Sequence, residues 1–299
     1  MPRFSFRLAL VVCVALATLA CERDRAPSEE AGARDDFGLL IDTTGTVRRR
    51  IVSLNPTTTE LLFALGAGSS VVARSEWDQW PVEARALPSV GPGLRPNVEA
   101  VLAHRPDLVV LYGSADNRAA ADRLGAAGIP VLALKIDRIA HFVRATRMLG
   151  ALSGQQTRAD SIVRAVTFTL DSVRSATSAL PRPRVFWHIW NRPLITIGGG
   201  SFLNELLEIA GAENVYAEFP AVSPPVSLED VVRRDPDFIL VGPVNSAELR
   251  RDPRWQALRA VREGGMAVVD TNLVGRPSVM LGAAAAHLAH LLHPAERTP

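Results

Sequence analysis

The chain has 299 residues, 47% hydrophobic and 21% charged, with 33 basic residues against 31 acidic ones and a formal net charge of +2. That is enough apolar material for two domains of ordinary size. Apart from Arg48-Arg49-Arg50 at a strand entrance the basic residues are scattered, which excludes a nucleic-acid partner.

Residues 1–20 carry Arg3 and Arg7 and then an uncharged run, Leu8 to Ala20, which reads as a secretory signal peptide too short to span a bilayer. The only cysteines are Cys13, inside that leader, and Cys21 directly after it, so the mature chain has no disulfide to form. A lone cysteine in an oxidising compartment is best explained as an anchor. Leu16-Ala17-Thr18-Leu19-Ala20-Cys21 resembles the bacterial lipoprotein cleavage box, with Thr18 where Leu is commoner. Ordinary cleavage after Ala17, leaving a free thiol, is the other reading. Residues 21–36 are polar and lack an apolar period, and so form a flexible lipid-anchored tether.

Residues 37–137 read as a first α/β lobe. Phe37 to Ile41 and Val47 to Leu54 flank Asp42-Thr43-Thr44-Gly45 as a hairpin, and Thr58 or Thr59 caps a helix from Glu60 to Leu65. Strand-like runs at 71–73, 108–112 and 130–134 then alternate with helical ones at 97–104, 116–126 and 138–152, the cadence of a mostly parallel sheet covered on both faces. Residues 138–181 are helical. Their main part, 155–180, holds no Gly or Pro and carries Ile162, Val163, Val166, Leu170 and Val173 on one stripe. It is a rod of roughly 39 Å at 1.5 Å per residue, able to join two lobes. Residues 182–294 repeat the first cadence, with strands at 184–190, 194–197, 238–241 and 266–270, and helices at 202–210, 228–234 and 278–293.

The repeat is literal in places. Asn97-Val98-Glu99 through Pro106-Asp107 and a strand matches Ser227-Leu228-Glu229 through Pro236-Asp237 and a strand without a gap. Thr59-Glu60-Leu61-Leu62 matches Asn204-Glu205-Leu206-Leu207 in the same order. Two matched pairs imply two Rossmann-like lobes built alike.

In such sheets ligands meet the loops at the carboxyl ends of the strands. Trp77, Trp80, Tyr112, Trp187 and Trp190 fall at or near strand ends, suited to stacking on a large planar or macrocyclic ligand; any one of them can instead turn into a lobe core. His188 lies between two of the Trp, and Arg95 and Arg276, one per lobe, have the planar fork that grips a carboxylate or phosphate. Glu99 and Glu229 hold the same place in the repeat. Each offsets a helix dipole, and as a pair they suit two basic sockets on a two-fold partner.

Arg50-Ile51-Val52-Ser53-Leu54-Asn55-Pro56, Val90-Gly91 before Asn97-Val98-Glu99, the rod, and Ser227-Leu228-Glu229 together resemble the helical-backbone substrate-binding proteins of ABC importers, over nearly everything from Arg50 to His293. The pattern is most like the cobalamin-binding members and is also similar to ferric-siderophore and haem receptors. The resemblance implies a monomeric receptor, held at the periplasmic membrane or cell surface by its lipid, with no intrinsic cofactor. Its ligand would be cobalamin or another metal-containing macrocycle. Its partner would be a permease dimer with ATPase subunits, whose arginines meet Glu99 and Glu229. Gly93 and Ser223 stand where cobalamin receptors offer Trp.

Two other readings are weaker. His287, His290 and His293 drift round the last helix with no carboxylate beside them, which favours a solvated face over a metal site. Gly198-Gly199-Gly200 suits a phosphate cradle or a tight turn. A secreted hydrolase or chelatase-like enzyme would need an acid–base group in the cleft, and Asp78 is the one in view.

Overall fold

The computed structural model describes residues 33–43 and 45–294; the leader and Cys21 lie outside them. A short antiparallel pair, β1 (Ala33–Arg34) and β2 (Leu40–Ile41), opens the described chain. The expected hairpin between 37–41 and 47–54 is therefore replaced: the first arm pairs back onto residues 33–34, and the second enters a sheet.

That sheet holds β3 (Ile51–Ser53), β4 (Val71–Arg74), β5 (Leu108–Tyr112) and β6 (Val131–Leu134), all parallel, in the order β4-β3-β5-β6. Its helices are α1 (Pro56–Ala64), α2 (Val98–Ala103), α3 (Ala115–Ala126) and α4 (Ile139–Leu152). After α5 (Gln156–Thr177), β7 (Arg184–His188) leads to a two-residue hairpin, β8 (Trp190–Asn191) with β9 (Leu194–Ile195), then α6 (Phe202–Ile209) and β10 (Glu213–Asn214). There follow α7 (Leu228–Arg234), β11 (Phe238–Val241), α8 (Pro243–Arg251), α9 (Arg259–Arg262), β12 (Met266–Val268), α10 (Thr271–Val274) and α11 (Leu281–Leu292). The second sheet is parallel in the order β10-β7-β11-β12, which is the first sheet's order with each strand replaced by its repeat partner.

The matched sequence does the same work in both lobes. Asp107 accepts hydrogen bonds from the amides of Arg49 and Arg50 at 2.8 and 3.0 Å, and Asp237 accepts one from the amide of Arg184 at 2.9 Å. Each Pro-Asp thus clips the entrance of the central strand to its neighbour. The residue before each Pro-Asp is left-handed, Arg105 at φ 47° and Asp235 at φ 41°, because the chain must leave a helix and turn into a strand within three or four residues.

Period-two alternation sorts the core into three layers. Leu108 and Val110 of β5, Val185 and Trp187 of β7, and Leu240 of β11 point to one cluster, which runs through both lobes beneath α1, α4, α5, α6 and α11. Val109 and Leu111 face an outer cluster of aliphatic residues in the first lobe. Phe186, Ile239 and Val241 face an outer cluster in the second lobe that also holds Tyr216 and Trp255. A parallel sheet buried on both faces is the expected result.

The rod α5 is 22 residues, about 33 Å at 1.5 Å per residue, and shorter at both ends than the expected 155–180. It is sheathed rather than free. Ala159 lies against Gly150 of α4, where an added Cβ would come within 2.5 Å, and Thr169 lies equally close to Gly282 of α11. Absent side chains at those two glycines let the rod touch one helix of each lobe. No described helix is long and apolar enough to cross a membrane.

Candidate functional site: the facing sheet edges

Segments that leave the carboxyl ends of the two sheets reach the opposite lobe. Arg138, just after β6, donates from Nε to Glu205 at 2.7 Å and from Nη1 to the Gly199 carbonyl at 3.0 Å. Arg276, after β12, donates from Nε to Glu60 at 2.6 Å.

On the first lobe the rim is a loop after β4. Asn55, rather than Thr58 or Thr59, caps α1, accepting from the Thr57 amide at 2.8 Å; the threonines lie inside the helix and are buried. Thr59 is thereby freed to donate to Asp78 at 2.6 Å, while Ser75 donates to the same carboxylate from Oγ at 2.7 Å and from its amide at 3.2 Å. Buried Arg74 bonds the carbonyls of Ala84, Ser75 and Arg85. These two residues pin a loop whose outward side chains are Trp77 and Trp80, 47% and 49% exposed. Burial pushes the Asp78 carboxyl up, against the Ser75 and Thr59 hydrogen bonds that pull it down. Fully bonded and fully buried, Asp78 is a loop pin and not an acid–base group open to the cleft. A Cβ at Gly93 would strike the Leu54 carbonyl oxygen at 2.3 Å, with the Trp77 ring 3.4 Å away, so the backbone leaves no room for a side chain there.

Tyr112, partly buried at the end of β5, donates its hydroxyl to Asp137 Oδ1 at 2.8 Å; burial, reinforced by that carboxylate, pushes the phenol up. Asp137 Oδ2 is buried without a hydrogen bond, with Lys135 Nζ 3.5 Å away. Sequence reasoning missed this pair. The alternation Lys135-Ile136-Asp137 just past a strand was its one signal. Arg95 has φ 50° and holds Asp116 from Nε and Nη2 at 3.0 and 2.7 Å, its side chain 79% exposed.

On the second lobe the rim is a cavity of about 510 Å³ at the ends of β7, β11 and β12, lined by second-lobe residues that include Trp187, Trp190, Val244, Asn245 and Thr271. The structure brings Trp187, His188 and Trp190 together there and leaves Trp77, Trp80 and Tyr112 on the other edge. Trp190 is 59% exposed, its indole N–H held by the Arg192 carbonyl at 3.1 Å. Trp187 is turned mainly into the rod-side core, the alternative that alternation allowed. His188 is buried edge-on against Trp255, ring centroids 5.7 Å apart, with no hydrogen bond to either nitrogen. Burial holds its pKa down, opposed by Asn191 and Glu248 nearby. Arg276 is not an open anion grip: Glu60, 5% exposed, already occupies it.

The Gly198-Gly199-Gly200 run is a close-packed turn. The amides of Gly198 and Gly199 are spent on the carbonyls of Val222 and Phe219, and a Cβ on any of the three would strike backbone at 2.1–2.2 Å. His287 is half-buried, His290 exposed, and His293 meets the Ala210 carbonyl at 2.9 Å; they are not one solvated face. No group of three metal-binding side chains occurs among the described residues.

Glu99 and Glu229 both stand in the first turn of a short helix. Asn97 accepts from the amides of Glu99 and Ala100, and Ser227 accepts from that of Asp230. Glu99 is largely exposed, 3.4 Å from Arg123; Glu229 is fully exposed, its carboxyl held down by its own amide and Ser227.

Two like lobes joined by one long helix and bridged by Arg138–Glu205 and Arg276–Glu60 have the architecture of a bilobal binding protein. A family model described as periplasmic binding protein matches residues 51–273, and the chain belongs to that family. It is a binding protein and not an enzyme. A vitamin B12-binding protein of Pectobacterium carotovorum is 28% identical over 208 residues, covering 69% of this chain and 75% of the relative. Among solved structures, the periplasmic vitamin B12 binding protein BtuF of Vibrio cholerae superposes with a TM-score of 0.74 at 23% identity, over 82% of this chain and 96% of that one. A periplasmic heme binding protein from Pseudomonas aeruginosa gives 0.74 at 25% identity, over 84% and 95%.

Proposed function

We propose that the chain is the substrate-binding lipoprotein of an ABC importer, capturing a cobalamin-type corrinoid between its lobes and delivering it to a dimeric permease. The observation that carries this reading is the pair of unlike aromatic edges: exposed Trp77 and Trp80 on one sheet, and Trp190 over a 510 Å³ cavity on the other. Flat rings and a largely preformed cleft suit a large macrocycle, because little has to be ordered on binding. The relatives named for vitamin B12 support the corrinoid, and the heme binding neighbour supports haem as the second reading.

On this reading residues 37–137 and 182–294 act as the lobes and 138–181 as their helical connection. Tyr112 and Asp137 form a polar floor, and Arg95 exchanges its exposed Asp116 partner for an acidic group of the ligand. Glu99 and Glu229 dock the monomer on permease arginines, and Cys21 carries the lipid that holds it at the periplasmic membrane.

Titration of the purified protein with cyanocobalamin, haemin and a ferric hydroxamate siderophore, followed by Trp fluorescence, tests the ligand. Quenching that saturates at micromolar cyanocobalamin is expected. Saturation with haemin or the siderophore alone would transfer the site to that ligand, and silence with all three would overturn the receptor reading. Charge reversal at Glu99 and Glu229 should abolish uptake with affinity intact.

A further inference from the structure

Among the described residues two ion pairs cross between the lobes, and they are copies of one another. Glu60 on α1 and Glu205 on α6 occupy the same place in the matched Thr59-Glu60-Leu61-Leu62 and Asn204-Glu205-Leu206-Leu207 segments. Their partners, Arg276 and Arg138, each lie between the last sheet strand of a lobe and the long helix that ends it. The first lobe's glutamate takes the second lobe's arginine, and the second lobe's glutamate takes the arginine at the first lobe's exit.

Each contact is more than a single pair. Glu205 accepts from Arg138 Nε at 2.7 Å and, through its other oxygen, from the amide of Ile139 at 2.7 Å, while Arg138 also reaches the Gly199 carbonyl. Glu60 accepts from Arg276 Nε at 2.6 Å, and Arg276 Nη1 is held by the Asn272 carbonyl at 3.2 Å. The Glu60 side chain is 6% and the Arg276 side chain 20% exposed, against 20% and 41% for Glu205 and Arg138. A buried carboxylate separated from its only cation is left desolvated and unpaired, so the first contact resists opening more than the second. Glu60 and Glu205 lie near the starts of α1 and α6, and Arg138 and Arg276 lie in the segments that leave β6 and β12, so each pair ties one lobe to a segment leaving the other lobe's last strand.

We infer that Glu60–Arg276 and Glu205–Arg138 are a matched pair of clamps that fix the separation of the two aromatic edges, and so determine the thickness of ligand the cleft accepts. The inference rests on the cleft reading above. The four side chains are positioning residues: they need not touch the ligand, and they add directional contacts to the non-directional apolar cluster that α5 shares with both lobes.

The test is a distance measurement in the free protein. Spin labels at Ala119→Cys on α3 and Ala247→Cys on α8, with Cys13 and Cys21 replaced by serine, report lobe separation. A broadened distance distribution is expected in Glu60→Gln, Glu205→Gln and Arg138→Gln, with cyanocobalamin affinity falling about tenfold. Glu60→Gln combined with Arg276→Gln should be no broader than Glu60→Gln alone, because one contact has been removed once. Should Glu60→Gln fail to fold, the half-exposed Arg138→Gln still decides. Distributions that stay as narrow as in the unsubstituted protein in Glu205→Gln and Arg138→Gln would overturn the clamps. Failure of the unsubstituted protein to bind any of the three ligands would instead overturn the cleft reading, and the distances in the free protein would still judge the clamps.

Discussion

The two lobes share a strand order, a Pro-Asp clip and a capped glutamate, yet their outer cores are filled differently. In the first lobe that layer is aliphatic, built on residues such as Val52, Val101, Val109 and Leu111. In the second it is aromatic, with Phe186, Tyr216 and Trp255 in contact at ring-centroid distances of 6.0 Å. The rims differ too: the first lobe puts two large rings outside on a pinned loop, and the second sinks Trp187 and leaves one exposed ring, Trp190, beside a cavity. A duplicated scaffold therefore keeps what holds strands together, while the layers that no strand pairing depends on are free to diverge. On the proposed reading, two unlike faces meet one ligand.

The largest expected effect follows from the aromatic layer. Trp255→Ala should cost about 3–5 kcal/mol in urea unfolding, because the ring is fully buried between Phe186 and His188 and its void cannot collapse. A smaller loss would mean the second lobe's outer core is less tightly packed than the first's. Next, Asp78→Ala should cost about 2–3 kcal/mol by stranding Ser75 and Thr59, and should weaken ligand quenching of the first-lobe tryptophans; an Asp78→Asn variant should keep part of both.

A third effect separates the lobes by pH. His188 is held neutral, its folded pKa below the usual 6.5, so the unfolded chain binds the extra proton first. The stability His188 contributes is complete above about pH 6.5 and is lost as pH falls below it. Urea titrations at pH 7 and pH 5 should show this loss, and His188→Phe should reduce it; an unchanged slope would mean that ring is not buried neutral. The smallest effects probe what the lobes share. Asn97→Ala and Ser227→Ala should each cost about 1 kcal/mol, and a large inequality between them would show that the caps are not equivalent.

Much of this was legible in the sequence because it is periodic. The rod's apolar stripe, the strands at 108–112 and 238–241 and the matched Pro-Asp segments all announce themselves at short range. Helix α8 did not, since Pro243 to Arg251 buries only Leu249 and carries no stripe. The direction of Trp187 and His188 was hidden for a different reason. In a strand covered on both faces, alternation separates neighbouring side chains but does not say which faces the rod and which the outer layer. The inter-lobe contacts were beyond reach, because Glu60 and Arg276 stand 216 positions apart and Arg276 reads in sequence as a grip for the ligand.

The central claim is that both edges hold the ligand at once. Cyanocobalamin affinity measured by calorimetry for Trp77→Ala with Trp80→Ala, and separately for Trp190→Ala, tests it most directly. Each should weaken binding by about tenfold or more, since a stacked ring is worth about a kcal/mol beyond its buried area. If one lobe's substitutions abolish binding while the other's leave it untouched, the ligand sits on a single lobe and the two-edged cleft is contradicted.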